Sequence, residues 1–182
     1  MTWELIRVTG IVALALLTVA VSLGIAGPVI RRPAWRLTSI TMHLTAAVGG
    51  ILLVVAHIAF AVLDAWVQVP LLAAVVPGAS PWSTLGVALG TVAFDLLLVI
   101  AVTSALRQRA PKLWWRAHVL AFPVWALVWI HTLTVGTDRG TGLMVALAAI
   151  SAASVAGALA LRLTARRGPV AVKPITLEEI SA

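Results

Sequence analysis

The chain has 182 residues, of which 62% are hydrophobic and 10% charged, and it contains no cysteine. A soluble domain carries roughly 25% charged and 45–50% apolar residues, so a water-soluble core cannot hide this excess of apolar side chains. We therefore expect lipid to surround most of the chain. The lack of cysteine excludes disulfides, iron–sulfur clusters, thiol catalysis and covalently attached c-type haem. Histidine and carboxylate remain as the ligands for any metal.

The placement of the charges matters more than their net value of +7. Because the charges are not spread along one face, we expect no nucleic-acid partner. The first charge-free stretch follows Thr2-Trp3-Glu4 rather than a basic segment, and it exceeds the ~7–15-residue apolar core of a signal peptide. We therefore interpret it as a retained membrane span. Charged residues are absent from five stretches of bilayer length, which are residues 8–30, 37–63, 65–94, 117–137 and 140–161.

In chain order, these stretches predict five transmembrane helices at about residues 5–27, 38–64, 84–106, 113–134 and 141–163. Residues 66–83 are also apolar, but Pro70, Pro77, Gly78 and Pro81 would break a lipid-exposed helix. We expect an external loop with an interfacial turn there. The predicted fold is an all-α integral membrane protein, a five-helix bundle formed by residues 1–167. Residues 168–182 are predicted to be a cytoplasmic tail.

Lysine and arginine predict the orientation of this bundle. Only Arg7 and Arg139 fall on the side of the N-terminus, which we therefore expect outside, with the C-terminus in the cytoplasm. Six tryptophans at span ends agree with interfacial anchoring. The expected location is a bacterial cell membrane, which the chain crosses several times. The other eleven of the thirteen basic residues lie on the opposite side: Arg31, Arg32, Arg36, Arg107, Arg109, Lys112, Arg116, Arg162, Arg166, Arg167 and Lys173.

All four histidines lie within predicted spans, two on each of two helices. His43 and His57 are fourteen residues apart on span two, and His118 and His131 are thirteen apart on span four. At ~1.5 Å of rise per residue, the two spacings are about 21 and 19.5 Å. Both helices start in the cytoplasm in the expected orientation. His43 and His118 therefore share the inner depth, His57 and His131 share the outer depth, and each pair is placed to hold one haem.

The helical phase of the histidines is less regular than their depth. At ~100° per residue, fourteen positions return within about 40° of the start, whereas thirteen fall about 140° short of four turns. Pro123 lies between His118 and His131. A proline kink or local unwinding there would realign the second pair.

A small-metal site and a proton relay are two other roles that histidines can have in a membrane protein. A single small-metal site is excluded, because ligands ~20 Å apart cannot meet one ion at bonds near 2 Å. A proton relay remains open. It would make the chain a haem-free membrane protein, such as a proton-coupled transporter or an assembly subunit. A relay, however, has no need for pairs at equal depth.

The histidine spacing resembles the ferric-reductase-like transmembrane domain, which ferric reductases, NADPH oxidase membrane domains and the haem subunit of bacterial methionine sulfoxide reductase systems share. The resemblance covers about residues 28–163 and rests mainly on the four histidines. Flanking residues add to it: Gly49 and Gly50 between His43 and His57, TSALR at 103–107, WRAH at 115–118 and GTD at 136–138.

This resemblance implies two stacked, non-covalent haems b, with His43 and His118 as ligands of the inner iron and His57 and His131 as ligands of the outer iron. It also implies electron transfer across the membrane, as the membrane subunit of an oxidoreductase system. The chain departs from larger family members in having five predicted spans rather than six. It also shows no FAD or NAD(P)H module after Leu163. We therefore expect a separate cytoplasmic flavoprotein or a membrane quinol as the donor. The expected acceptor is extracytoplasmic, and an FMN-binding protein is one candidate.

The remaining charged residues give weaker expectations. Arg36, Arg107 and Arg116 lie near the inner histidines in depth, where they either pair with haem propionates or simply follow the positive-inside bias. Arg139 is the one cation near the outer pair by sequence position. Asp95 lies near the centre of span three, where a charged aspartate costs ~2.5–3.5 kcal/mol on insertion scales. We expect it to face the bundle interior as a polar functional residue.

Overall fold

The computed structural model describes residues 2–167 and contains six α-helices and no strand in that range. The tail predicted for residues 168–182 lies outside the described residues. The helices are α1 (Thr2–Ala26), α2 (Pro33–Leu63), α3 (Thr84–Ala105), α4 (Pro111–His118), α5 (Ala121–Val135) and α6 (Gly142–Arg167).

Five segments of the described chain are long and apolar enough to cross a membrane, which confirms the predicted number of membrane helices. Each contains a stretch of 18 residues whose mean hydropathy lies between 1.5 and 2.5. The second helix begins at Pro33, earlier than predicted, because proline suits the first turn of a helix. The segments are Thr2–Val29, Pro33–Leu63, Thr84–Ala105, Pro111–Val135 and Gly142–Ala165.

The two sides of α2 show how the helices face lipid and each other. Large apolar side chains at Leu44, Val48 and Leu52 recur every four residues and are about half exposed or more. On another side of the helix, Ala46 and Gly50 are buried. These small residues let α1 approach closely, as is common between membrane helices.

Helix α1 is the centre of the bundle, because it packs against α2, α5 and α6. Thr18 of α1 hydrogen-bonds Ser151 of α6 at 2.8 Å, and both residues are buried. Two indoles of α5 also bond to these two hydroxyl groups, and the four side chains form a polar cluster. Trp125 donates its Nε1–H to Thr18 and Trp129 donates to Ser151, at 3.2 and 3.0 Å. The cluster joins three helices and satisfies the polar groups that burial would otherwise penalise.

Residues 64–83 form a loop that folds back over the N-terminal end of the bundle, the end at which α1 begins and α2 ends. Its only helical piece is the short 3₁₀ turn Leu71–Ala74, in keeping with the prolines. Thr91 of α3 donates a hydrogen bond of 2.6 Å to the carbonyl of Ala73, which is buried. The loop is thus fixed onto α3.

The fourth predicted span is two helices rather than one. It breaks at Val119 and Leu120, between α4 and α5. Pro123 has no N–H to donate to the carbonyl of Val119, and the N–H of Phe122 takes that acceptor instead at 3.2 Å. The local unwinding anticipated from Pro123 is therefore present, just before the proline.

Candidate functional site: two histidine pairs between helices

The broken fourth span brings the histidines together in two pairs across the bundle. The rings of His43 on α2 and His118 on α4 have centroids 6.0 Å apart, with an interplanar angle of 62°. The rings of His57 on α2 and His131 on α5 have centroids 6.3 Å apart, at 88°. The structure therefore pairs the four histidines as their depths predict.

These ring separations fit a metal between each pair of imidazoles. A histidine nitrogen binds a first-row metal at ~2.0–2.1 Å, and the centre of an imidazole ring lies about 1.2 Å behind that nitrogen, so two rings on opposite sides of one ion have centroids about 6.4 Å apart. Among the described residues, no group of three or more histidine, aspartate or glutamate side chains could hold an ion. The donor set is therefore two imidazoles per site, as in a haem iron with both axial positions filled.

Three of the four rings are oriented by a backbone carbonyl. The Nδ1–H of His43 donates to Ala20 at 2.7 Å, that of His57 to Ile6 at 2.9 Å and that of His131 to Gly86 at 2.8 Å. A proton fixed on Nδ1 leaves the lone pair on Nε2, the other ring nitrogen, free for a metal. These hydrogen bonds are the outer-shell partners that histidine ligands of metals usually have.

A glycine lies against each of the same three rings. A methyl group at Gly10 would lie 3.0 Å from Nδ1 of His57, and one at Gly24 would lie 3.3 Å from Cε1 of His43. At Gly90 it would lie only 2.8 Å from Nδ1 of His131. These glycines are not among the site residues predicted from the sequence. Their signal was present, because Gly10 and Gly24 are fourteen residues apart on α1, the same spacing as the two histidines on α2.

His118 is held differently from the other three histidines. Its Nδ1 is buried and has no hydrogen-bond partner among the described residues. Instead, the ring of Trp114, one turn earlier on α4, lies 5.3 Å away between centroids, tilted by 40°. The His43–His118 pair therefore has one ring anchored by a carbonyl and one ring held by packing alone.

A cavity surrounds the His57–His131 pair and opens at the N-terminal end of the bundle. Its walls are mostly apolar, as a porphyrin requires, and its mouth carries charged and aromatic residues. Gly10 and Gly90 also line it, so the glycines and the two rings share one space. The apolar lining includes Leu14, Leu17, Val54, Ile58, Phe94, Leu97, Val124 and Val128, and the mouth includes Trp3, Arg7, Trp82, Thr137, Asp138 and Arg139.

An apolar cluster fills the space between the two histidine pairs along the bundle. Leu17, Leu97, Ile100 and Val124 form its buried centre. Leu17 lies between Gly10 and Gly24 on α1, and Val124 lies between His118 on α4 and His131 on α5. No group in this cluster can carry a proton.

The predicted arginines divide into two groups. Arg139 lies at the cavity mouth, as expected, but so does Arg7, which the sequence analysis did not single out. Arg36, Arg107 and Arg116 are exposed at the opposite end, called here the basic end. Their side chains form no hydrogen bond or ion pair within residues 2–167. Their two predicted roles, pairing with haem propionates and following the positive-inside bias, therefore both stay predictions.

Asp95, expected to face the bundle interior as a polar functional residue, is partly buried, and that role stays a prediction. At ~100° per residue, Asp95 lies on the side of α3 opposite the buried Ala93 and Leu97. It shares its side with the exposed Val99 and Val102 but also with the buried Thr91, one turn earlier. Its carboxylate has no hydrogen-bond or ionic partner in the described part of the chain, and it does not line the cavity of the His57–His131 pair.

Comparison with known families supports the interpretation of the helices. The model of the family described as ferric reductase like transmembrane component matches residues 9–130, well over half of the chain. The match contains His43, His57 and His118 and ends one residue before His131. Searches of curated proteins and of solved structures gave no match. With its five apolar helices and this match, the chain is a multi-pass membrane protein that belongs to the ferric reductase-like transmembrane component family.

Proposed function

We propose that this chain carries electrons across the membrane through two b-type haems, one between His43 and His118 and the other between His57 and His131. The observation that carries the proposal is the pair of ring separations, 6.0 and 6.3 Å. Both match two imidazoles on opposite sides of one iron. Membership in the ferric reductase-like family supports the same reaction class.

The chain's own residues would hold the haem irons and restrict what they do. Bound haem supplies one-electron chemistry, because its iron alternates between the ferric and ferrous states. With two imidazoles provided at each site, His43 and His118 at one and His57 and His131 at the other, a bound iron would keep no coordination position open for oxygen. The carbonyls of Ala20, Ile6 and Gly86 keep three rings directed at their sites, which limits the rearrangement that a change of charge would cause.

The apolar cluster between the two pairs favours electron transfer over a proton relay. A relay needs hydrogen-bonding groups within a few ångströms of one another, whereas the cluster consists of leucine, isoleucine, valine and alanine side chains. Electrons do not need such groups. The haem-free alternative, a proton-coupled transporter or an assembly subunit, therefore has less support.

The two ends of the bundle differ in charge, and this difference guides the choice of partners. The basic end carries exposed arginines at Arg36, Arg107 and Arg116, which suit an acidic flavoprotein surface or anionic lipid. We infer that this end is cytoplasmic and receives electrons from a flavoprotein or a quinol. The N-terminal end, with its open cavity mouth, would then deliver them to an extracytoplasmic acceptor such as an FMN-binding protein.

The visible spectrum of the purified protein tests this proposal. We expect about two haems per chain and an absorption band that sharpens when dithionite reduces the iron. His57→Ala or His131→Ala should remove one haem and leave the one at His43 and His118. A colourless preparation from haem-replete cells would overturn the proposal, whereas loss of both haems from either variant would contradict the independence of the two sites.

A further inference from the structure

We infer that Gly10, Gly24 and Gly90 are positioning residues, each of which opens a notch in a helix so that one histidine ring can reach a backbone carbonyl. The inference rests on the proposed function, in which those rings bind haem iron. It goes further by assigning a role to three helical glycines outside the donor set. It also predicts that the two haem sites differ in how firmly they are held.

The same geometry occurs three times. Each ring touches one glycine. It donates its Nδ1–H to the carbonyl of the residue four positions before that glycine, about one helical turn away. His57 pairs with Ile6 and Gly10, His43 with Ala20 and Gly24, and His131 with Gly86 and Gly90. In an α-helix, the carbonyl of residue i already accepts the N–H of residue i+4. The histidine thus adds a second hydrogen bond to a carbonyl that lies directly beside the glycine.

A side chain on the glycine would occupy the place of the ring. Alanine methyl groups at Gly10, Gly24 and Gly90 would lie 3.0, 3.3 and 2.8 Å from the nearest ring atoms. All three distances are shorter than ordinary van der Waals contact, least so at Gly24, so each ring would move outward and its hydrogen bond would lengthen. Glycine is an unfavourable residue within a helix, so helix stability does not explain its presence at these three positions.

The fourth ring has no such notch. His118 has a buried Nδ1 without a partner in the described part of the chain. Fourteen residues after Gly90 along α3, the spacing that separates Gly10 from Gly24, the sequence has Ser104, which carries a side chain. The His57–His131 site therefore has two anchored ligands, and the His43–His118 site has one.

Alanine substitutions test the three notches separately. Because outer-shell partners of metal ligands change affinity by roughly 10- to 100-fold, we expect Gly10→Ala and Gly90→Ala to weaken haem binding at the His57–His131 site by about that factor. Gly24→Ala should act on the other site and more weakly, since its methyl group has more room. Gly157→Ala is the matched control, because a methyl group at Gly157 on α6 meets nothing within 4 Å.

The readouts are haem stoichiometry and the electron paramagnetic resonance spectrum of the ferric protein. That spectrum reports the orientation of the axial imidazoles independently of any activity. Gly10→Ala and Gly90→Ala should change the same low-spin signal, the one that His57→Ala removes, while Gly24→Ala changes the other. Should one of the first two variants fail to fold, the other still tests the same site. On heating, wild-type protein should lose the haem of the His43–His118 site first.

The possible outcomes separate this inference from the proposed function. Wild-type protein without haem would overturn the proposed function. If wild-type protein binds two haems but the three alanine variants keep unchanged signals, only the present inference fails. It also fails if Gly157→Ala has the same effect as Gly10→Ala, because the change would then reflect helix composition rather than contact with a ring.

Discussion

Arg7 and Asp138 lie 131 positions apart in the chain and form an ion pair with two hydrogen bonds. Nε of Arg7 donates to Oδ2 of Asp138 at 2.7 Å, and Nη2 donates to Oδ1 at 2.6 Å. The pair ties α1 to the segment between α5 and α6, at the mouth of the cavity that contains His57 and His131. It therefore links these two segments beside the opening of the cavity.

Removing this pair should destabilise the N-terminal end. Because the two side chains are only 35% and 18% exposed and meet at two points, we expect Arg7→Gln to lower the stability of the folded protein measurably. Thermal unfolding in detergent measures this as a lower melting temperature. Glu4→Gln is the control, since the contact of Glu4 with Arg7 is longer, 3.2 Å, and Glu4 is 66% exposed. An equal loss in both variants would contradict the assignment.

Much of the fold follows from hydropathy, because a bilayer requires long apolar helices whose backbone groups bond internally. The histidine pairs also follow, because a spacing of fourteen returns nearly to the same side of a helix. The contact between Arg7 and Asp138 could not be predicted in this way. It depends on how α1 packs against α5 and α6, and hydropathy does not determine that packing.

The direction of Asp95 cannot be predicted from the sequence for a related reason. Helix α3 is apolar on all sides, so its sequence contains no polar face that would distinguish the interior from lipid. The expectation rested only on the cost of placing a carboxylate in lipid. In contrast, Gly10 and Gly24 could have been found, since antiparallel neighbouring helices must present site residues at equal spacings.

Asp64 should make the folded protein sensitive to acid. Its carboxylate is buried and accepts hydrogen bonds from the Thr2 hydroxyl at 2.7 Å and from the backbone N–H groups of Trp66 and Val67, both at 2.9 Å. The Thr2 hydrogen bond, followed by that of Val67, lowers the pKa of Asp64 below its ordinary value of 3.8. The carboxylate therefore stabilises the fold at neutral pH.

A depressed carboxyl pKa gives a definite direction for the effect of pH. The stabilisation by Asp64 should be complete above about pH 5 and decline as the pH falls below about 4 towards the pKa of the folded state. Asp64→Asn should lower the melting temperature at pH 7 and reduce the difference between pH 7 and pH 3. Thr2→Val should show part of the same change. An unchanged pH profile in Asp64→Asn would show that other groups cause the acid sensitivity.

Replacement of Asp95 should stabilise the protein rather than impair the histidine sites. Because its carboxylate is only partly buried and has no hydrogen-bond or ionic partner in residues 2–167, Asp95→Leu removes an insertion cost of roughly 2.5–3.5 kcal/mol. We expect a higher melting temperature and unchanged haem content. Val99→Asp, which adds a carboxylate on the same side of α3, should have the opposite effect. Loss of haem from Asp95→Leu would mean that the carboxylate acts on a site.

The break between α4 and α5 should be necessary for both histidine pairs at once. In an unbroken helix, thirteen residues would leave His118 and His131 about 140° out of phase, yet both face histidines of α2. Pro123→Ala restores the missing N–H and lets the helix continue through Val119. We expect it to weaken the pair that is less firmly anchored, His43–His118, so that the protein keeps the haem at His57 and His131 and loses much of the other.

Pro111→Ala is the control, because Pro111 begins α4 and lacks no helical hydrogen bond. Two fully occupied sites in Pro123→Ala would show that the break persists without proline and that packing against α3 maintains it.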